Sequence, residues 1–147
     1  MTAYKAYDAV RRIAVLGCGT IGASWAAYFL ARGYDVAAWD PAEGWQQRLQ
    51  AFVDNAMPQL QAVGTATGAP GRLEMLDTPE AAVTGADFVQ ENATERAPIK
   101  IDLYKRIDPV LAPDAILATS TSGLILSELV EGIASAPRFV VGHPFNP

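Results

Sequence analysis

Short apolar runs alternate with segments in which apolar residues recur at helical spacing, and this alternation organises the whole chain. The run 13–16 (Ile-Ala-Val-Leu) is followed by glycines and then by residues 21–32, where apolar side chains recur every three or four positions. This pattern predicts a buried strand, a tight turn and a helix. The run 35–39 predicts a second strand, so that a strand–helix–strand unit is complete within about 30 residues.

The same alternation continues along the rest of the chain. Further strands are predicted over residues 73–76, 86–90, 115–118 and 139–141, and further helices over 43–63, 80–83, 99–107 and 124–133. Pro58 is expected to interrupt or kink its helix, and Ile99, Leu103 and Ile107 are expected on one buried helix face. Strands that alternate with helices predict an α/β fold, a Rossmann-type doubly wound, mainly parallel sheet with helices on both faces, in one domain over residues 1–147.

Composition narrows the functional classes without choosing one. The chain has 147 residues, of which 50% are hydrophobic and 18% charged, and a formal net charge of −5. This balance shows no basic patch for nucleic acid and no run as long as a membrane span, so we expect neither partner. Residues 1–12 lack the apolar run of a signal peptide, and Cys18, the single cysteine, cannot form an internal disulfide. We therefore expect a cytoplasmic protein in which Cys18 is a small packing residue.

A glycine-rich turn carries the strongest chemical signal. The six residues Gly-Cys-Gly-Thr-Ile-Gly that begin at Gly17 match G-x-G-x-x-G between the first predicted strand and the first helix. In this motif the first glycine makes the turn, the second lets the backbone approach a pyrophosphate, and the third lets the helix pack close to the sheet. The helix N-terminus offers N–H groups and a positive dipole end to phosphate. We therefore assign Gly17, Gly19, Thr20, Ile21 and Gly22 to dinucleotide binding.

Asp40 predicts which dinucleotide binds. It stands at the end of the second predicted strand, about 20 residues after the glycines, where a carboxylate accepts hydrogen bonds from the adenosine ribose and repels a 2′-phosphate. Pro41 and Ala42, which follow, supply no arginine for that phosphate. The sequence therefore favours NAD over NADP as cofactor. Two interpretations of Trp39 stay open. It could lie beside the adenine, or it could pack in the core, which is the more common position for such a residue.

The second half of the chain adds motifs of its own. Residues 142–147 are Gly-His-Pro-Phe-Asn-Pro, and residues 118–123 are Ala-Thr-Ser-Thr-Ser-Gly. Together with the glycine motif they resemble the 3-hydroxyacyl-CoA dehydrogenase superfamily, and the resemblance covers essentially the whole chain as that family's N-terminal domain. Within the superfamily, these motifs together with Trp-Asp-Pro at 39–41, Gln-Glu at 90–91 and Thr-Glu-Arg at 94–96 are most similar to the L-carnitine dehydrogenases.

The resemblance implies an NAD-dependent enzyme that oxidises the 3-hydroxyl group of L-carnitine to 3-dehydrocarnitine, with no metal. It implies that His143 is the general base, a role that suits imidazole because its ordinary pKa of about 6.5 lies near neutral pH. It also implies that Ser122 and Asn146 hold the reacting oxygen, and that Glu95 and Lys100 lie near the nicotinamide ribose and amide. The partner is then a small-molecule substrate, and the full-length enzyme is expected to be a homodimer.

Other interpretations stay open. Taken alone, a single histidine is more often structural than catalytic, and Glu95 and Lys100 would form a solvated helix edge. Dehydrogenases of 3-hydroxyacyl-CoA or L-gulonate are rival enzymes, and a non-catalytic NAD-binding or structural module is the alternative outside the enzymes. The family also pairs its histidine with a later glutamate and closes the site with a helical second domain, and residues 1–147 contain neither. We therefore expect the chain to be the cofactor half of a longer enzyme, nearly inactive by itself.

Overall fold

The computed structural model describes residues 4–144. Over this range it contains one sheet of six parallel strands in the order β3-β2-β1-β4-β5-β6. The strands are β1 Arg12–Leu16, β2 Asp35–Trp39, β3 Leu73–Met75, β4 Phe88–Glu91, β5 Ile116–Thr119 and β6 Phe139–Val141. The helices are α1 Thr20–Ala31, α2 Trp45–Ala62, α3 Pro79–Val83, α4 Ala97–Ile107 and α5 Leu126–Leu129. The strand order reverses between β1 and β4, so the predicted Rossmann-type doubly wound sheet is confirmed.

Each face of the sheet is covered by its own helices. Ile13 and Val15 of β1 pack in the layer of α1 and α2, whereas Ala14 and Leu16 pack in the opposite layer of α3, α4 and α5. Both faces are buried, which is why the strands are apolar runs without the polar alternation of a half-exposed sheet. The loops at the carboxyl ends of the strands remain accessible, and this edge is where ligands bind in sheets of this type.

Helix α2 differs from its prediction at the proline. The sequence predicts an interruption or kink near Pro58, but α2 continues without a break from Trp45 to Ala62. Pro58 is exposed, and the buried residues of α2, Trp45, Leu49 and Val53, all precede it. The proline therefore costs one main-chain hydrogen bond near the end of the helix, after the fully buried part of its core packing. No helix within residues 4–144 is long and apolar enough to cross a membrane.

Residues 124–133 contain much less helix than the sequence predicts. Only Leu126–Leu129 is helical, and the turn that follows has Gly132 at φ +76°. The carboxylate of Asp108 accepts hydrogen bonds from two consecutive N–H groups after this turn, beginning with that of Ala134. The predicted helix is wrong beyond Leu129 because the left-handed φ of Gly132 cannot continue a right-handed helix.

The buried face of α4 also differs from the prediction. Leu103 and Ile107 are buried as expected, but Ile99 is 39% exposed, and Lys100 beside it is 0% exposed. The interpretation of Lys100 as part of a solvated helix edge is therefore wrong. Strands β4 and β5 begin later than the predicted strands 86–90 and 115–118 and end one residue later, so that both end on buried polar residues. Glu91, the last residue of β4, is the partner that explains the burial of Lys100.

Candidate functional site

The glycine-rich turn joins β1 to α1. Gly17 has φ +85°, and a Cβ there would lie 2.6 Å from the carbonyl group of Asn92 in the neighbouring loop. A Cβ on Gly22 would lie 1.8 Å from the carbonyl oxygen of Gly17. Both positions therefore require glycine. Gly19 is different, because it is exposed and a Cβ there would meet nothing within 4 Å. Its open side leaves space for a ligand to approach the backbone.

Helix α1 begins directly after Gly19 with a first turn that faces this space. No side chain caps the helix, and its first main-chain hydrogen bond runs from the N–H of Ala23 to the carbonyl of Gly19 at 2.8 Å. Thr20 and Ile21, in the first turn, are exposed. The N–H groups of such a turn and the positive end of the helix dipole attract anions. These features fit a pyrophosphate.

Asp40 follows β2 and lies against the same turn. Its Oδ2 accepts a hydrogen bond from the N–H of Cys18 at 2.7 Å, and its Oδ1 accepts one from the N–H of Ala42 at 2.8 Å. These contacts hold the carboxylate beside the glycines. Burial, together with the charge of Asp40, raises the pKa of the Cys18 thiol to about 12. The thiol is therefore protonated at neutral pH, which agrees with a packing role.

A cleft of about 740 Å³ opens beside these residues. Its wall is formed by the glycine turn, the end of β2, the β4–α4 loop and α4, and it includes Gly17, Gly19, Asp40, Asn92, Ile99 and Arg106. Ile99 is exposed because it lines this cleft. The cleft lies at the carboxyl edge of the sheet, beside the point where the strand order reverses, which is where dinucleotides bind in doubly wound sheets.

The side chain of Arg106 is a cation that lines this cleft, and the sequence around Asp40 does not predict it. Its Nε donates to Oε1 of Glu80 at 2.7 Å, and its Nη2 donates to Oε2 at 3.0 Å. These hydrogen bonds hold the pKa of Glu80 below its ordinary value. The guanidinium carbon lies 5.8 Å from the ring centroid of Trp39, which lines the cleft and also packs against the core layer of α3 and α4. Trp39 thus packs partly against the core, as the commoner interpretation predicts, and its role as a flank for the adenine stays a prediction.

A buried carboxylate behind the cleft was missed by the sequence analysis. Glu91, at the end of β4, is 0% exposed, and its Oε1 accepts hydrogen bonds from the N–H of Ala93 at 2.6 Å and from Lys100 Nζ at 2.7 Å. Its Oε2 accepts hydrogen bonds from the hydroxyls of Tyr104 and Thr119, both at 2.6 Å. The carboxylate therefore ties β4, β5 and α4 together. One feature of the sequence could have indicated this site, namely an acidic residue at the end of an apolar strand. A carboxylate in that position is buried, and a buried charge needs hydrogen-bond donors nearby.

Glu95 connects this buried pair to the loop after β5. Its Oε2 lies 3.6 Å from Lys100 Nζ, and its Oε1 accepts hydrogen bonds from the hydroxyl of Thr121 at 2.6 Å and from the N–H of Ser122 at 2.9 Å. Burial opposes ionisation of Glu95, but these hydrogen bonds and the charge of Lys100 outweigh it and lower the pKa. Glu95 is therefore ionised at neutral pH and holds the backbone of Ser122.

Ser122 and His143 stand on neighbouring loops at the carboxyl edge. Ser122 follows β5 and His143 follows β6, and these strands are parallel neighbours. The N–H of Gly142 donates to the carbonyl of Thr119 at 2.9 Å, which extends the pairing to the residue before His143. Both predicted catalytic side chains are exposed. Asn146 lies outside the described residues, and its role, like those of Ser122 and His143, stays a prediction.

The chain matches known proteins over nearly its whole length. The family model for the NAD-binding domain of 3-hydroxyacyl-CoA dehydrogenase matches residues 12–147. The L-carnitine dehydrogenase of Nocardiopsis dassonvillei is 48% identical over 95% of this chain, and that of Burkholderia mallei is 50% identical over 91%. These alignments cover 43% and 42% of the two relatives. The chain thus spans less than half the length of the curated relatives that it matches.

Solved structures of similar proteins share the fold. An NAD⁺-dependent dismutase, 5-formyl-3-hydroxy-2-methylpyridine 4-carboxylic acid 5-dehydrogenase, superposes with a TM-score of 0.85 and 36% identity over 94% of this chain and 45% of its own. The (S)-3-hydroxybutyryl-CoA dehydrogenase of Ralstonia eutropha superposes with a TM-score of 0.80 and 26% identity over 95% of this chain and 50% of its own. Dehydrogenases of different substrates therefore share this sheet, and the fold alone does not choose among them.

Proposed function

The chain belongs to the 3-hydroxyacyl-CoA dehydrogenase family as its NAD-binding domain, and on this premise we propose that it is the cofactor half of an L-carnitine dehydrogenase. The reaction would convert the 3-hydroxyl group of L-carnitine to the ketone of 3-dehydrocarnitine. The choice of substrate rests on the 48% and 50% identity to L-carnitine dehydrogenases over almost all of the chain. A homodimer of the full-length enzyme belongs to the same proposal.

The residues of the glycine turn fit NAD. Gly19 leaves the backbone open, and the uncapped first turn of α1 offers the N–H groups of Thr20, Ile21 and Gly22 to the pyrophosphate. Asp40 would accept hydrogen bonds from the adenosine ribose, and its charge disfavours a 2′-phosphate. Bound there, NAD supplies the acceptor for the hydride that leaves the substrate carbon.

The chemistry at the hydroxyl group rests on His143 and Ser122. As the C–H hydrogen leaves with its electron pair, His143 takes the O–H proton, so that the alcohol becomes a ketone and the imidazole an imidazolium. The hydroxyl of Ser122 and the amide of Asn146 donate hydrogen bonds to the oxygen as it becomes a carbonyl. Glu95 supports this arrangement through the N–H of Ser122. The full burial of Lys100 favours a role in holding Glu95 in place.

The role of His143 is tested by His143→Ala in the full-length enzyme. Turnover of L-carnitine should fall by about 10²–10⁴-fold, which is the usual share of a positioned general base. The Kd for NAD should change little, because His143 follows β6 whereas the glycine turn follows β1. Asp40→Ala is the comparison variant, because it should weaken the binding of NAD, which His143→Ala should leave nearly unchanged. If His143→Ala weakened NAD binding as much as turnover, His143 would have a structural role instead.

The substrate is tested separately, by comparing kcat/KM for L-carnitine, a 3-hydroxyacyl-CoA and L-gulonate. L-carnitine should be preferred. Turnover of the CoA thioester alone, or of L-gulonate alone, would overturn the assignment of carnitine. If none of the three were oxidised while NAD binding remained intact, the chain would instead be part of a non-catalytic NAD-binding protein.

A further inference from the structure

The cofactor cleft contains a cation that NAD does not require. Arg106, in the last turn of α4, lines the cleft together with Asp40 and Asp102. A guanidinium is well suited to phosphate, because its planar fork of donors matches two phosphate oxygens. In dinucleotide sites, an arginine near the adenosine ribose accommodates the 2′-phosphate of NADP. An arginine in this cleft therefore opposes the preference for NAD that Asp40 indicates.

The carboxylate of Glu80 binds the guanidinium of Arg106 through two hydrogen bonds. The two parallel hydrogen bonds of 2.7 and 3.0 Å use the bidentate geometry with which a phosphate would otherwise bind. The hydrogen bonds raise the pKa of Arg106 and lower the pKa of Glu80, so both groups are charged at neutral pH and their charges offset each other. The other charged side chains that line the cleft among residues 4–144, Asp40 and Asp102, are both acidic.

The fold holds Glu80 in this position. The hydroxyl of Thr78 caps the first turn of α3, in which Glu80 lies. Nε1 of Trp39 donates a hydrogen bond to the carbonyl of Asp77 at 3.3 Å, which ties the segment before α3 to the end of β2. Arg106 lies between Glu80 and the ring of Trp39 as the partner of both. Arg106 is therefore held in the wall of the cleft by a glutamate that is not itself a lining residue, and neither residue is near Asp40 in sequence.

We propose that Glu80 is a cofactor-specificity residue that engages Arg106 and so denies the cleft a cation for a 2′-phosphate. It adds to the repulsion by Asp40, and the inference rests on the proposed preference for NAD. Removal of the Glu80 charge would leave Arg106 beside Trp39 with its donors available to a phosphate.

Equilibrium titrations of the full-length enzyme with NAD and NADP, in the absence of any hydroxy acid, test the proposal. The variants are Glu80→Gln, Asp40→Ala and their combination, with Glu80→Ala as a second form that cannot hydrogen-bond to Arg106. Glu80→Gln should strengthen NADP binding about tenfold, as expected for a charged hydrogen-bonded contact, and should change NAD binding by less than about twofold. The combination with Asp40→Ala should strengthen NADP binding further than either change alone.

Arg106→Leu provides the matched control. Added to Glu80→Gln, it should abolish the gain in NADP binding. A gain that persists without Arg106, or the absence of a gain from both Glu80 variants with and without Asp40, would overturn the role of Glu80. Wild-type enzyme that bound NADP as tightly as NAD would instead contradict the proposed preference for NAD, so the two failures are distinguishable.

Discussion

Two glutamate–cation pairs, whose cations both belong to helix α4, have the same nitrogen–oxygen distance but different surroundings. Lys100 and Arg106 both belong to α4, and each has its nitrogen 2.7 Å from a glutamate oxygen. The side chains of Lys100 and Glu91 are 1% and 0% exposed, whereas those of Arg106 and Glu80 are 42% and 34% exposed. The inner pair lies among β4, β5 and α4, whereas the outer pair joins α3 to Arg106 in the wall of the cofactor cleft.

The difference shows that burial, and not distance, sets what each pair does. Water and salt screen the outer pair, so it contributes little to stability. The inner pair has lost its hydration, and removal of either partner would leave an uncompensated charge in the interior. The inner pair therefore holds the β4 and β5 loops in shape, while the outer pair is suited to a role in cofactor choice.

The largest effect is expected for Lys100→Met. This change leaves the Glu91 carboxylate buried without its cation, and we expect it to lower the free energy of unfolding by about 3–5 kcal/mol. Chemical denaturation measures the loss. Lys105→Met, an exposed lysine of the same helix, is the matched control and should change stability by less than about 0.5 kcal/mol. If the two substitutions lowered the free energy of unfolding equally, the buried Lys100–Glu91 pair would be no more important for stability than an exposed lysine.

A smaller effect is expected for Tyr104→Phe, which removes one hydroxyl from Glu91 and leaves its other donors in place. The loss should be about 1.5–3 kcal/mol, the range for a hydrogen bond to a charged group. Tyr28→Phe, at a tyrosine that is 41% exposed, is the control and should be nearly neutral. If Tyr104→Phe were as neutral as Tyr28→Phe, the hydroxyl of Tyr104 would contribute nothing to the buried network.

The smallest effect is expected for Glu80→Gln, at about 0.2–1 kcal/mol near neutral pH. Because Arg106 lowers the folded-state pKa of Glu80, its contribution is present above the ordinary glutamate pKa of 4.5 and is lost as pH falls through the lower folded value. The stability difference between wild type and Glu80→Gln should therefore shrink below about pH 4.5 and in high salt. Glu131→Gln, at an exposed glutamate, controls for general charge effects. A difference that is constant from neutral to acidic pH would contradict the pairing.

Some parts of the site could be predicted because their requirements are local. The left-handed φ of Gly17 and the close approach of Gly22 to its carbonyl arise within one turn, so the glycine spacing is visible in the sequence. Lys100 could not be predicted in the same way. Periodicity assigned Ile99 to the core and left Lys100 to solvent, and the structure reverses the two because Glu91 supplies a buried partner.

The sequence by itself determined the order and type of most elements, the dinucleotide turn with Asp40 after the second strand, and the family. These features depend on the spacing of residues within short segments, where steric limits and hydrophobic periodicity act directly. Only the tertiary structure decided that Arg106 enters the cleft of Asp40 and that Glu91 meets Lys100. The physical reason is that burial and charge pairing depend on which elements pack together, and residues far apart in the chain carry no local sign of that contact.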